Sequence, residues 1–204
     1  MKRILFVCFV MLGITANAQT GYQVGSVATD FNLRNVDGKN VSLANYKDAK
    51  GYIVVFTCNT CPVARAYQDR VEALNKMYGP KGYPVIAINT NDPAASPGDS
   101  YEKMQERAKE KKFSYAYLED PNHVYTKKYG ANKTPHVFVL QKTANGNEVA
   151  YIGAIDNDQE ETNAQRDNYV QNAVNLLLQG KKPMVTYTKA IGCSIKWKKE
   201  SSSK

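Results

Sequence analysis

The sequence has 204 residues, 43% of them apolar and 23% charged, enough for one ordinary domain with a single core, which excludes a chain too polar to fold. The formal charge is +8, yet the basic residues are dispersed, mixed with acids between Glu102 and Lys112 and otherwise gathered at Lys181, Lys182, Lys189, Lys196, Lys198 and Lys199. No basic and aromatic recognition module accompanies them, so no nucleic-acid partner is expected and the charge reads as a solvated surface.

At the N-terminus, Lys2 and Arg3 precede an apolar run from Ile4 to Ile14 that ends in Ala16-Asn17-Ala18, the pattern of a cleaved signal peptide. Residues 1–18 are therefore expected to be removed, leaving one domain at 19–197 and a frayed tail at 198–204, in a periplasmic or secreted protein. Losing Lys2 and Arg3 lowers the formal charge to about +6. The apolar run is shorter than the roughly 20 residues a spanning helix needs, and no later stretch approaches that length, so no integral membrane segment is expected after cleavage. Cys8 leaves with the signal, and Cys58, Cys61 and Cys193 remain. An odd number of cysteines cannot all pair within one chain.

Asp37-Gly38 lies between the alternating runs 31–33 and 41–43 and predicts an N-terminal hairpin. Tyr52 to Thr57 is a continuous apolar run, typical of a strand buried on both faces, and it leads straight into Cys58. After Pro62, apolar side chains at Val63, Tyr67, Val71, Leu74 and Tyr78 recur every three or four residues, predicting one amphipathic helix that stops at Gly79-Pro80. A second central strand follows at 84–89, then a turn-rich stretch at 90–100 and a charged helix at about 101–111, which together read as an elaborated crossover. A strand at 113–118, a short helix at 124–129, a strand at 136–140 and a partner strand at 149–152 come next. A helix at 166–179, ended by Gly180 and Pro183, closes the domain. This alternation predicts an α/β fold with helices on both faces of a mixed sheet, and it places a site at the carboxyl end of the first central strand.

Cys58-Asn59-Thr60-Cys61 sits at that point. A thiolate is the reactive form of cysteine, and a helix starting at Cys58 would aim unsatisfied N–H groups at its sulfur. Pro62 is tolerated in a first turn because its missing N–H would have no intrahelical partner. Two intervening residues put Cys61 one turn along, where it can attack a mixed disulfide on Cys58, so the pair can move two electrons without a cofactor. A structural disulfide would close only a tiny loop and add little stability, and a zinc site would need ligands beyond Cys193, His123 and His136 that form no second paired motif.

Phe56-Thr57-Cys58-Asn59-Thr60-Cys61-Pro62, the later Asn132-Lys133-Thr134-Pro135 and the ending Gly192-Cys193-Ser194-Ile195-Lys196-Trp197 together resemble the thioredoxin-like redoxin proteins, near their peroxiredoxin-like, AhpC/TSA-related branch. The resemblance covers residues 24–197. It implies a three-layer α/β/α sandwich with a central mixed sheet, an N-terminal hairpin and a central insertion. By the same resemblance Cys58 is the exposed attacking cysteine, Cys61 the buried resolving one, and Thr134-Pro135 a cis-proline loop. Thr57, Asn59, Thr60, Pro62, Thr134 and Pro135 are then the candidate contacts for the substrate chain. Two departures stand out: Tyr52 occupies the place of the buried aspartate that thioredoxin uses for proton transfer, and Thr57 directly precedes Cys58 without the proline-led pattern of peroxiredoxins.

The expected function is exchange of disulfides with protein substrates, using an electron donor or acceptor that the sequence does not name and no bound cofactor or metal. The rival readings are a copper chaperone of the same fold using Cys58, Cys61 and His136, a thiol peroxidase, and a binding module without turnover. Cys193 reads either as an additional redox or docking thiol or as an inert, half-buried cysteine. His136 is expected to face solvent at the start of a strand, and His123 reads as a loop residue.

Overall fold

The computed structural model describes residues 21–199, and the expected signal peptide lies outside them. The chain enters through β1 (Val27–Ala28) and a small hairpin, β2 (Leu33–Arg34) with β3 (Asn40–Val41), formed at the Asp37-Gly38 turn. The continuous apolar run becomes β4 (Gly51–Thr57), followed by α1 (Pro62–Ala66) and α2 (Gln68–Tyr78). The single helix expected here is therefore two, meeting at Tyr67. After β5 (Val85–Asn89) come α3 (Tyr101–Lys111), β6 (Ala116–Glu119) and α4 (Val124–Tyr129). The two-residue β7 (Lys133–Thr134), the long hairpin β8 (His136–Thr143) and β9 (Gly146–Gly153), α5 (Tyr169–Leu178) and β10 (Cys193–Ser194) complete the fold.

Six strands form one mixed sheet in the order β1-β9-β8-β4-β5-β6. β4 runs parallel to β5 and antiparallel to β8, which makes it a central strand with no free edge. Its composition follows from that position. Successive side chains of a strand point to opposite faces, so Ile53 and Val55 enter one core and Tyr52, Val54 and Phe56 the other. The first core takes Val71, Leu74 and Tyr78 of α2, Met104 of α3 and Val170, Ala173 and Val174 of α5. The second is closed by Phe31, Leu33 and Leu43 from the N-terminal segments and by Tyr129 of α4. Both faces are thus covered, giving the expected three layers around a mixed sheet. β8 lies inside the sheet, and the edge on that side is β1, paired with β9.

The carboxyl ends of β4 and β5 meet on one side of the sheet, and the 90–100 stretch folds back there instead of looping into solvent. Among the described residues no helix is long and apolar enough to cross a membrane.

Candidate active site

The chain leaves β4 at Thr57 and turns through Cys58-Asn59-Thr60 before α1 begins at Pro62, with Cys61 as its N-cap residue. The helix therefore starts four residues after Cys58, where the sequence suggested it would begin. Its first turn serves Cys61, whose sulfur accepts from the Ala64 amide at 3.5 Å. Cys58 nonetheless faces donors, because the amides of Thr60 and Cys61 and the Thr134 side chain favour its charged form. Burial outweighs them and raises the Cys58 thiol above its ordinary value of 9.0, and the nearby Asp99 carboxylate pushes in the same direction. The exposed, acidified Cys58 expected from the resemblance is thus replaced by a buried thiol, 1% exposed.

Cys61 is joined to Cys193 by a disulfide, with Cα atoms 5.9 Å apart and a sequence separation of 132, and among the described residues Cys58 is the free cysteine. All three sulfurs belong to one cluster with Ala64 and Val63. Thr134 joins them: its hydroxyl lies 3.3 Å from Cys58 Sγ, its carbonyl oxygen 3.2 Å from Cys61 Sγ, and its backbone pairs with that of Cys193 across the β7–β10 ladder. The Thr134–Pro135 peptide is cis, as the resemblance implied. Gly192 makes this approach possible, since a Cβ at that position would overlap the Thr134 carbonyl.

Asn59 and Thr60 point elsewhere. Asn59 donates to the Gly98 carbonyl at 3.0 Å and accepts from the Tyr117 hydroxyl at 2.9 Å. The Thr60 hydroxyl donates to Asp99 at 2.7 Å, and the same carboxylate accepts from the Asn59 amide, the Ser96 hydroxyl at 2.6 Å and the Asn91 amide group at 2.9 Å. Asp99, 3% exposed, is thus the bolt that holds the cysteine loop to the insertion. Sequence reasoning missed it. The available signal was Pro97-Gly98-Asp99 in the loop after β5, because the loops after adjacent parallel strands must meet at one end of the sheet.

Thr57 is half-buried, its carbonyl accepting from the Thr90 amide at 3.1 Å, and Pro62 is exposed on the first turn of α1. His136 is 6% exposed and packs against Phe138 with ring centroids 4.9 Å apart, not facing solvent as expected. Burial lowers its pKa from 6.5 to about 4. His123 is buried too, its Nε2 accepting from the Lys198 amide at 2.9 Å and its ring 5.0 Å from that of Trp197. Among the described residues no group of three or more His, Cys, Asp and Glu side chains could hold a metal ion, so Cys58, Cys61 and His136 do not assemble into the copper site considered above.

The family model of the AhpC/TSA family matches residues 24–170, a span that includes β4, both cysteines of the loop and the cis-proline. The chain belongs to the AhpC/TSA family. This redoxin is 26% identical over 144 residues to the thiol-disulfide oxidoreductase ResA of Geobacillus thermodenitrificans, covering 68% of this chain and 78% of the relative. It is similar to the crystal structure of an uncharacterized conserved protein from Geobacillus kaustophilus, with 31% identity, a TM-score of 0.80, and coverage of 88% of this chain and 94% of the other. A hypothetical protein from Sinorhizobium meliloti follows at 29% identity and a TM-score of 0.78, covering 87% and 96% of the two chains. The chain's fold is thioredoxin-like.

Proposed function

We propose that this redoxin is an exported thiol–disulfide oxidoreductase that exchanges disulfides with protein substrates through Cys58 and Cys61. The observation that carries the reading is a free cysteine and a disulfide-bonded one sharing a single buried cluster at the carboxyl end of β4, both in contact with Thr134 beside a cis-proline. In the reducing direction, an external dithiol first opens the Cys61–Cys193 bond and leaves Cys61 a free thiol; the Cys58 thiolate then attacks a partner's disulfide, forming a mixed disulfide and releasing one partner thiolate. Cys61 then attacks the Cys58 sulfur, closing a Cys58–Cys61 bond and releasing the second partner thiolate. Two electrons pass to the partner, and an external dithiol returns them. Thr134 and Pro135 are buried, Thr134 beneath the β10 segment, so in this reading they meet the incoming chain only when that segment moves, whereas Asn59 is held inward and acts by fixing the loop.

The likeness to the ResA oxidoreductase supports the chemistry, and the signal-like N-terminus supports export. The experiment is reduction of a disulfide-bonded protein in the presence of a dithiol, comparing wild type with Cys58→Ser and Cys61→Ser. Wild type should accelerate the reaction and Cys58→Ser should bring it back to the rate of the dithiol alone. A Cys58→Ser variant as fast as wild type would end this assignment. Sequencing the N-terminus of the protein recovered from the cell envelope or medium tests export, with Gln19 as the expected first residue.

A further inference from the structure

Three cysteines in one cluster can make only one disulfide at a time, and Cys61 is the member that touches both alternatives. It is bonded to Cys193, and Cys58 packs in the same cluster with its sulfur on the same threonine. The ladder over this cluster is short, although the chain is anchored just beyond it, where Ile195 enters the second core and the Lys196 backbone bonds to Asn91 and Asp92. β10 has two residues and pairs only with β7, which also has two residues and pairs only with β10. Cys193 is half-buried, where Cys58 and Cys61 are 1% and 3% exposed.

We propose that Cys193 is a third redox-active cysteine, which trades Cys61 with Cys58 by internal exchange and thereby lifts β10 from β7, admitting an extended, cysteine-bearing stretch of a partner in its place. This rests on the reading of the protein as a thiol–disulfide oxidoreductase. The step is balanced within the molecule. Cys58 loses its proton to solvent and attacks Cys61 Sγ, the Cys58–Cys61 bond forms as the Cys61–Cys193 bond breaks, and Cys193 departs as a thiolate that takes up a proton. The oxidation level is unchanged and no outside oxidant or reductant is needed.

The occupant follows from what sits there now. β10 is an extended segment that presents a cysteine to Cys61 while its backbone satisfies Lys133 and Thr134. Once it leaves, the paired groups of β7 lack partners, and Thr134 is fully buried, so a replacement strand is favoured over an open edge. The C-terminal segment is thus a built-in stand-in for the partner chain. Its closed state shields Cys58, and its open state exposes the loop and a free Cys193 together.

The test uses the oxidised mature chain, incubated from about pH 7 to about pH 9, quenched with acid and mapped by alkylation and mass spectrometry. Labelling should appear on Cys193 as well as Cys58, and the exchange rate should rise about tenfold per pH unit while Cys58 remains mostly protonated. Oxidised Cys193→Ser should carry a Cys58–Cys61 bond, and Cys58→Ser only the Cys61–Cys193 bond. Amide exchange at Lys133 and Thr134 should quicken in Cys193→Ser and slow when an extended cysteine peptide, but not its serine counterpart, is added. Label confined to Cys58 in wild type at every pH would overturn the inference, and because this needs no variant it holds even if Cys193→Ser misfolds. Internal exchange in a protein that reduces no partner would uphold the inference and sink the proposed function, whereas rapid turnover with label confined to Cys58 would do the reverse.

Discussion

Acidification from about pH 7 to about pH 4 is expected to withdraw about 3 kcal/mol of stability through His136 alone. The ring is buried against Phe138, and its Nδ1 has no hydrogen-bond partner. Burial depresses its pKa from 6.5 to about 4. In the unfolded chain the ring takes a proton near its ordinary value, whereas in the native chain it does so only near the depressed one. Between the two the unfolded state binds more protons, so stability falls as pH falls. The contribution is complete above the unfolded value and gone below the folded one. A shift of about 2.5 units at about 1.4 kcal/mol each gives about 3.5 kcal/mol in full. About 3 kcal/mol of this is withdrawn by about pH 4, where the native ring is half-protonated. Urea unfolding of wild type and His136→Phe across that range measures it, because phenylalanine keeps the packing and removes the proton site. His123 is shifted in the same direction by burial, but it is common to both proteins and cancels in the difference. A wild-type minus variant difference that stays flat with pH would refute the argument and mean that the native ring is solvated or paired.

Three further outcomes are expected. Asp99→Ala strands four donors from the cysteine loop and the insertion, and should cost about 2–4 kcal/mol in denaturant unfolding, while removing a negative charge that raises the Cys58 pKa. Reducing the Cys61–Cys193 bond, which spans 132 residues, should lower the unfolding free energy by about 2–5 kcal/mol, measured by paired denaturant curves with and without dithiol. Arg70→Met leaves Asp156 buried without the guanidinium that contacts both its oxygens at 2.8 and 2.7 Å, and should destabilise by about 3–5 kcal/mol in the same assay.

The central strands were legible because β4, β5 and β8 are continuous apolar runs that suit strands covered on both sides. Helix start points were less so. Pro62 marks a first turn wherever it stands, but whether Cys58 or Cys61 precedes it as the cap depends on the path of the intervening loop, which Asp99 sets from 39 residues away or more. The burial of His136 was hidden for a related reason: the strand begins at that residue, yet β4 pairs with it through Phe56, so it lies within the sheet and not at its margin. Cys193 was recognisable as a thiol with chemistry open to it, but its partner depends on the last segment running back over the cis-proline loop, and cysteine spacing alone carries no record of that path.

That segment also orders events in time. A ribosome makes Cys58 and Cys61, and then the whole six-stranded sheet, before Cys193 exists. Until then sulfur 61 cannot meet its distant partner, so the long-range crosslink can first close only after every strand of the sheet has been made.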